Sequence, residues 1–182
     1  VFLNKIYYFC VNQYFNTMKK IIYAAFLLLS VNSLFAQDYT HSLGIRLGSG
    51  YYDNVGIAYK TFVTDAGAIE ADLGFRGYNK HGYKWTNVSL AGAYQHHFPI
   101  GKIENFNWFV GGGLVLANSF SDYDERDGVS LGIFPTGGVE YRLKNAPFVF
   151  SADIRPTFHI VEANDYHNST YVNAGLTARY VF

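Results

Sequence analysis

The residues best equipped for chemistry gather in three groups. In the segment SDYDERDG, Asp122, Asp124, Glu125 and Asp127 fall within six residues, an oxygen-rich cluster of the kind that hard cations such as Ca²⁺ require. Counted from Asp122, the twelfth position, where an EF-hand loop closes on glutamate, is Ile133. The stretch therefore reads as a solvated loop. The second group is the histidines, six in number and scattered. The adjacent pair His96-His97 would project to opposite faces of a strand, which gives neither metal-ligand spacing nor a catalytic triad. The third and largest group is a set of ionic residues embedded in apolar stretches. The sole cysteine, Cys10, precedes the expected start of the working chain, so no disulfide and no thiol nucleophile is expected. No cofactor and no metal is expected either.

The elements that carry the third group are strands. Downstream of Gln37 the recurrent pattern is alternation of apolar and polar residues, the period of a strand with different surroundings on its two sides. LGIRLG sets Leu43, Ile45 and Leu47 against Gly44, Arg46 and Gly48. VGIAYK, AIEADLGFR and VSLAGAYQ continue the rhythm, followed by WFVGGGLVLA, which is apolar on both faces and ambiguous in its facing. A sixth segment opposes Val139, Tyr141 and Leu143 to Gly138, Glu140 and Arg142, with Pro135 marking a bend or bulge. FVFSADIRPTFHI and NAGLTARYVF complete eight segments. Each is about as long as a tilted transmembrane strand, roughly 9 to 11 residues. The connectors alternate as well: TDAG and KNAP are tight, while GYNKHGYKWT, SFSDYDERDG and VEANDYHNS are longer and polar. FPIGKIENFN is longer than its place in that alternation predicts.

Composition agrees with a chain that meets something other than water. Formal net charge is zero, 15% of residues are charged and 19% are aromatic, against roughly 25% charged in an ordinary soluble domain. There is no basic excess to attract nucleic acid.

The ions decide which face is which. Arg46, Lys60, Glu70, Asp72, Arg76, Glu140, Arg142, Asp153, Arg155 and Arg179 all fall on the same set of strand faces. A one-residue slip would turn a strand's charges outward. If those faces met lipid, each Arg or Lys at the bilayer midplane would cost about 2–4 kcal/mol. Six of them would cost on the order of 10–20 kcal/mol, comparable with a folding free energy of about 5–15 kcal/mol. The charges are therefore expected inside a closed barrel, paired with one another, with Gly44, Gly56, Ala58, Gly74, Ala91 and Gly175 making room. Eight strands enclose a space that side chains fill, so a plugged interior without an open pore is predicted. Tyr51, Tyr52, Tyr83, Trp85, Trp108, Tyr141 and Tyr171 are expected to form girdles at the membrane interfaces.

The stretch MKKIIYAAFLLLSVNSLFAQ, from Met18, has a basic start, an apolar run and small residues before Gln37. It is the layout of a secretory signal peptide over residues 18–36, with an upstream or extended leader at 1–17 and the barrel at 37–182.

Leader, connectors, internal charges and a last strand ending Tyr180-Val181-Phe182 together resemble the small OmpA/OmpX-type outer-membrane β-barrels. The resemblance implies an eight-stranded antiparallel up-and-down barrel exported to a bacterial outer membrane. It also implies that Tyr180 and Phe182 serve as the signal read by the outer-membrane assembly machinery. Outer-membrane lipid and lipopolysaccharide are the other expected partners, and an extracellular ligand held by the loops is left open. Phe158-His159, with Glu162 and Asn164 following, is similar to the histidine region of the lipid A deacylases. The serine those enzymes place two residues after the histidine is replaced here by Val161. The expected function is thus a non-enzymatic barrel with a structural or surface-interaction role. The alternatives are a narrow channel for small or apolar solutes, a lipid-modifying enzyme, or a soluble lipocalin-like carrier with the two faces reversed.

Overall fold

In a computed structural model, which describes residues 40–80, 83–101, 103–121, 128–161 and 170–182, the alternating stretches form eight strands. They are β1 (His41–Gly48), β2 (Val55–Phe62), β3 (Gly67–Lys80), β4 (Tyr83–Pro99), β5 (Phe106–Ser121), β6 (Gly128–Arg142), β7 (Phe148–Val161) and β8 (Thr170–Val181). Each pairs antiparallel with its neighbours in sequence, and β8 closes on β1 through pairs such as Ile45↔Ala178 and Arg46↔Thr177. Closure removes the free edges that a sheet would otherwise expose.

The two faces of this wall are opposite in character to those of a water-soluble barrel. Ile45 is 58% exposed and Leu176 63%, while Arg46, between Ile45 and Leu47 on the same strand, is 2% exposed. Most of the leucines, isoleucines, valines and phenylalanines of the wall point outward and its ions point in. A lipocalin-like carrier needs the reverse arrangement.

Strand 5, ambiguous in sequence, turns Phe109, Val115, Ala117 and Ser119 inward and Trp108, Val110, Leu114, Leu116 and Phe120 outward. Glycine makes this possible. A Cβ at Gly113 would lie 2.7 Å from Cζ of Phe134, and one at Gly138 would lie 2.7 Å from Cζ of Phe109. Each inward ring thus rests on a bare stretch of backbone in the neighbouring strand.

Two connectors differ from expectation. GYNKHGYKWT, read as a loop, is largely hairpin: β3 and β4 stay paired out to Lys80↔Tyr83. Tyr78 and Trp85 are direct cross-strand partners, and their rings stack at 4.5 Å, an interaction that stabilises paired strands. At the end with the tight connectors, residues 100–105 join β4 to β5, with Gly101 and Asn105 at φ of 56° and 65°. That left-handed conformation suits glycine and asparagine.

Pro135 lies in an interruption of the β6–β7 ladder. Pairing runs from Gly132↔His159 to Ile133↔Phe158 and resumes at Gly137↔Ile154. By that register Pro135 sits directly opposite Pro156. A register shift follows at Leu131/Gly132.

Candidate functional site

Inward-facing positions bring ions from six strands into one layered cluster. Glu70 on β3 is its hub. It accepts from Arg155 Nη2 at 2.5 Å and from Arg179 Nη1 at 2.7 Å, lies 3.3 Å from Lys60 Nζ, and accepts from the Gln95 amide at 3.2 Å. Glu140 on β6 accepts from Lys60 and from Arg179, both at 2.7 Å. Arg155 on β7 donates through three nitrogens: to Glu70, to Asp72 at 2.5 Å and to Asp153 at 2.8 Å. Asp153 also accepts from Arg46 on β1. Ser151 accepts from Arg179 at 2.9 Å.

Several of these pairs span the barrel. Lys60–Glu140 joins β2 to β6, and Arg155–Glu70 joins β7 to β3, in each case strands four places apart in a ring of eight. Charges this deeply buried are tolerated when they are paired and hydrogen-bonded, and removing one partner is costly because it strands the other. Aromatic faces on the β5–β6 side complete the solvation. The Lys60 ammonium lies 4.8 Å from the centroid of Phe109, and the Arg155 guanidinium 5.4 Å from that of Phe134, both within cation–π range. Gly175 on β8, the neighbour of β1, provides space, since a Cβ there would collide with the Arg46 guanidinium.

Above the ions, the β1–β2 connector folds into the barrel mouth. Tyr52 is 1% exposed. Its hydroxyl pairs with His159 Nε2 at 2.8 Å, and its ring packs edge-on against Tyr171 and His159. The carbonyl of Gly50 accepts from Arg76, and that of Tyr51 from Asn87 at 3.0 Å and Tyr78 at 3.2 Å. Asp53 lies 3.6 Å from Arg46 Nε and accepts from Asn173 at 2.8 Å. The connector is thus tied to β1, β3, β4, β7 and β8.

Eight of the ten ionic residues singled out in the sequence, Arg46, Lys60, Glu70, Asp72, Glu140, Asp153, Arg155 and Arg179, meet in the cluster. The other two sit at its ends. Arg76 is half-buried near the mouth, with its guanidinium 4.6 Å from the centroid of Tyr78, and Arg142 is half-buried at the opposite end. Tyr180 and Phe182 face outward at 50% and 63% exposure. Tyr180 packs against Phe148, and Phe182 stacks on His41.

Asp53, Tyr52 and His97 also line the interior without having been assigned to it from the sequence, and Asn173 and Gln95, which alternation puts on the ionic faces, join them. Asp53 and Tyr52 lie in a connector, where alternation carries no information. Tyr52 and Tyr171, expected at the lipid interface, point inward, as does the half-buried Trp85. Trp108 and Tyr141 point outward.

The histidines at 96 and 97 take opposite faces. His97 packs between Phe62 and Phe109 inside, while His96 is covered by Tyr94 and Phe98. His159 binds Tyr52, and Val161, two residues on, is exposed. Glu162, Asn164, the acidic stretch 122–127 and residues 1–36 lie outside the described residues. Among the described residues no three His, Cys, Asp or Glu side chains are placed to hold a metal.

No family profile matches the sequence, and no curated protein matches it. Solved structures do. Neisserial surface protein A superimposes with a TM-score of 0.54 at 16% identity, over 79% of this chain and 96% of that one. The N-terminal β-barrel domain of Pseudomonas aeruginosa OprF gives 0.52 at 17% identity, over 79% and 98%. The chain has the closed eight-stranded fold of these barrels, the architecture that its OmpA/OmpX-type pattern implied.

Proposed function

We propose that this chain is an integral outer-membrane β-barrel with a structural or surface-interaction role, non-enzymatic, and sealed against solute flow. The inverted polarity of the wall carries the reading. An apolar outer surface with Arg, Lys, Asp and Glu locked inside suits a hydrocarbon solvent, and in water it would leave a continuous greasy belt exposed. The fold shared with the two barrels above supports the location. The seal rests on two layers in series, the ion cluster spanning the barrel and the inward-folded β1–β2 connector above it. With the interior occupied, interaction chemistry falls to the loops at the mouth.

Two measurements test this together. The full chain, expressed in a diderm bacterium, is expected in the outer-membrane fraction, with a gel mobility that changes on boiling as the closed barrel unfolds. Reconstituted in planar bilayers, it is expected to show no discrete conductance. A soluble, heat-insensitive species would overturn the membrane reading, and regular conductance steps would overturn the seal in favour of a narrow channel.

A further inference from the structure

The wall is closed only as high as its shortest strands reach. β1 ends at Gly48, paired with Gly175, and β2 begins at Val55, paired with Phe75, because residues 49–54 turn into the mouth instead of continuing the wall. β3 runs on to Lys80 and stays paired with β4 as far as Lys80↔Tyr83, so over residues 76–80 its other side has lost its neighbour. The Phe75 carbonyl accepts from the Asn54 N–H at 3.0 Å and thus points to the β2 side. Backbone groups two residues apart in a strand point the same way. That directs the N–H and C=O of Gly77 and of Asn79 into the gap, where no described residue bonds with them. Around this edge the wall is polar. Phe75 is the last outward apolar residue on β3, and beyond it Gly77 and Asn79 are exposed beside their β4 partners Thr86 and Lys84, exposed as well. A Cβ on Gly77 would meet nothing within 4 Å. The edge is also held in place from inside the barrel, since Arg76 donates to the Gly50 carbonyl, the Tyr78 hydroxyl donates to that of Tyr51, and the Tyr78 ring stacks on Trp85.

We propose that this edge of β3, over residues 76–80, is a docking site for an extended peptide segment of another protein outside the cell, which joins the wall as a further strand. Donors and acceptors repeating at strand spacing are complementary to another strand, and main-chain pairing of this kind supplies affinity by itself. The position suits it, because the outward polar strip places the gap in water rather than in hydrocarbon, where unpaired backbone groups are not tolerated. Bare edges are commonly blunted by proline, lysine or a bulge. Residues 76–79 contain neither proline nor lysine, and their pairing with β4 runs without a bulge. An edge fixed in advance by Arg76 and Tyr78 also loses little freedom when a partner binds. The inference deepens the surface-interaction reading above and rests on it for the side of the membrane on which the partner lies.

The full chain in detergent micelles, with the heptapeptide Thr-Val-Thr-Val-Thr-Val-Thr in millimolar excess as the probe, tests it. Amide exchange at Gly77 and Asn79 is expected to slow at least tenfold, with the β4–β5 ladder unchanged. Gly77→Pro with Asn79→Pro removes both donors without breaking a ladder bond, since these N–H groups face the gap. That variant is expected to keep the wild-type gel mobility and to lose at least tenfold in affinity for the fluorescein-labelled peptide. Unchanged exchange at the two amides, or undiminished binding to the proline variant, would overturn the inference. The location is decided separately: a chain that binds the peptide but fractionates as a soluble species overturns the membrane reading and leaves the docking edge standing.

Discussion

At the scale of single residues, the interior is governed by the cost of stranding a charge. Glu70 takes the counter-charge of Lys60, Arg155 and Arg179 at once, so Glu70→Gln leaves three buried cations short of a partner. Removing one member of a buried pair costs about 3–5 kcal/mol, and urea unfolding in lipid vesicles is expected to show a loss of that order. Glu104 provides the contrast. It pairs with Lys144 at 2.6 Å, but both are exposed. The lysine's hydrogen bond holds the Glu104 carboxyl below its usual range. That stabilisation is present above the ordinary carboxylate range, is lost as pH falls through the lowered value, and is screened by solvent and salt. Glu104→Gln is expected to leave the unfolding midpoint unchanged. The ions were legible in the sequence because one alternation placed all ten on one side. Asp53 was not, because its role depends on a connector's path.

At the scale of elements, the β1–β2 connector and the β6–β7 seam carry the departures from simple alternation. Tyr52 anchors the connector against His159 and Tyr171. Tyr52→Ala is expected to raise amide exchange across residues 49–54 by at least tenfold with the β3–β4 and β4–β5 ladders unchanged; equal loosening of those ladders would mean that the connector is part of the barrel's core. The seam has a different logic. An unsatisfied N–H in hydrocarbon costs several kcal/mol, and proline has no N–H to leave unsatisfied. Two prolines placed opposite each other let the ladder lapse with fewer orphaned donors. Pro135→Val with Pro156→Val supplies those donors, so slower exchange at the flanking residues 134, 136, 155 and 157 and a higher unfolding temperature are expected. Pro135 signalled an irregularity in the sequence, but its partner Pro156 could be recognised only from the register. The reach of the β3–β4 hairpin was hidden for a similar reason, since Tyr78 and Trp85 read as loop residues until pairing stacks them.

At the scale of the whole molecule, what governs the fold is which solvent each face meets. Strand count, closure and the inward direction of the charges followed from alternation combined with the cost of turning ions toward lipid. The facing of β5 did not follow, because with glycine on both faces hydrophobicity has no preference, and the seating of Phe109 and Phe134 on Gly138 and Gly113 decides it. The most direct test of the central claim is nitroxide scanning of the chain in lipid vesicles, with single labels at Leu73, Leu90, Leu114 and Leu176. All four side chains point outward from the wall. High collision rates with dissolved oxygen and low rates with a water-soluble nickel chelate are expected at all four sites. Free access of the nickel chelate to these positions would contradict that claim.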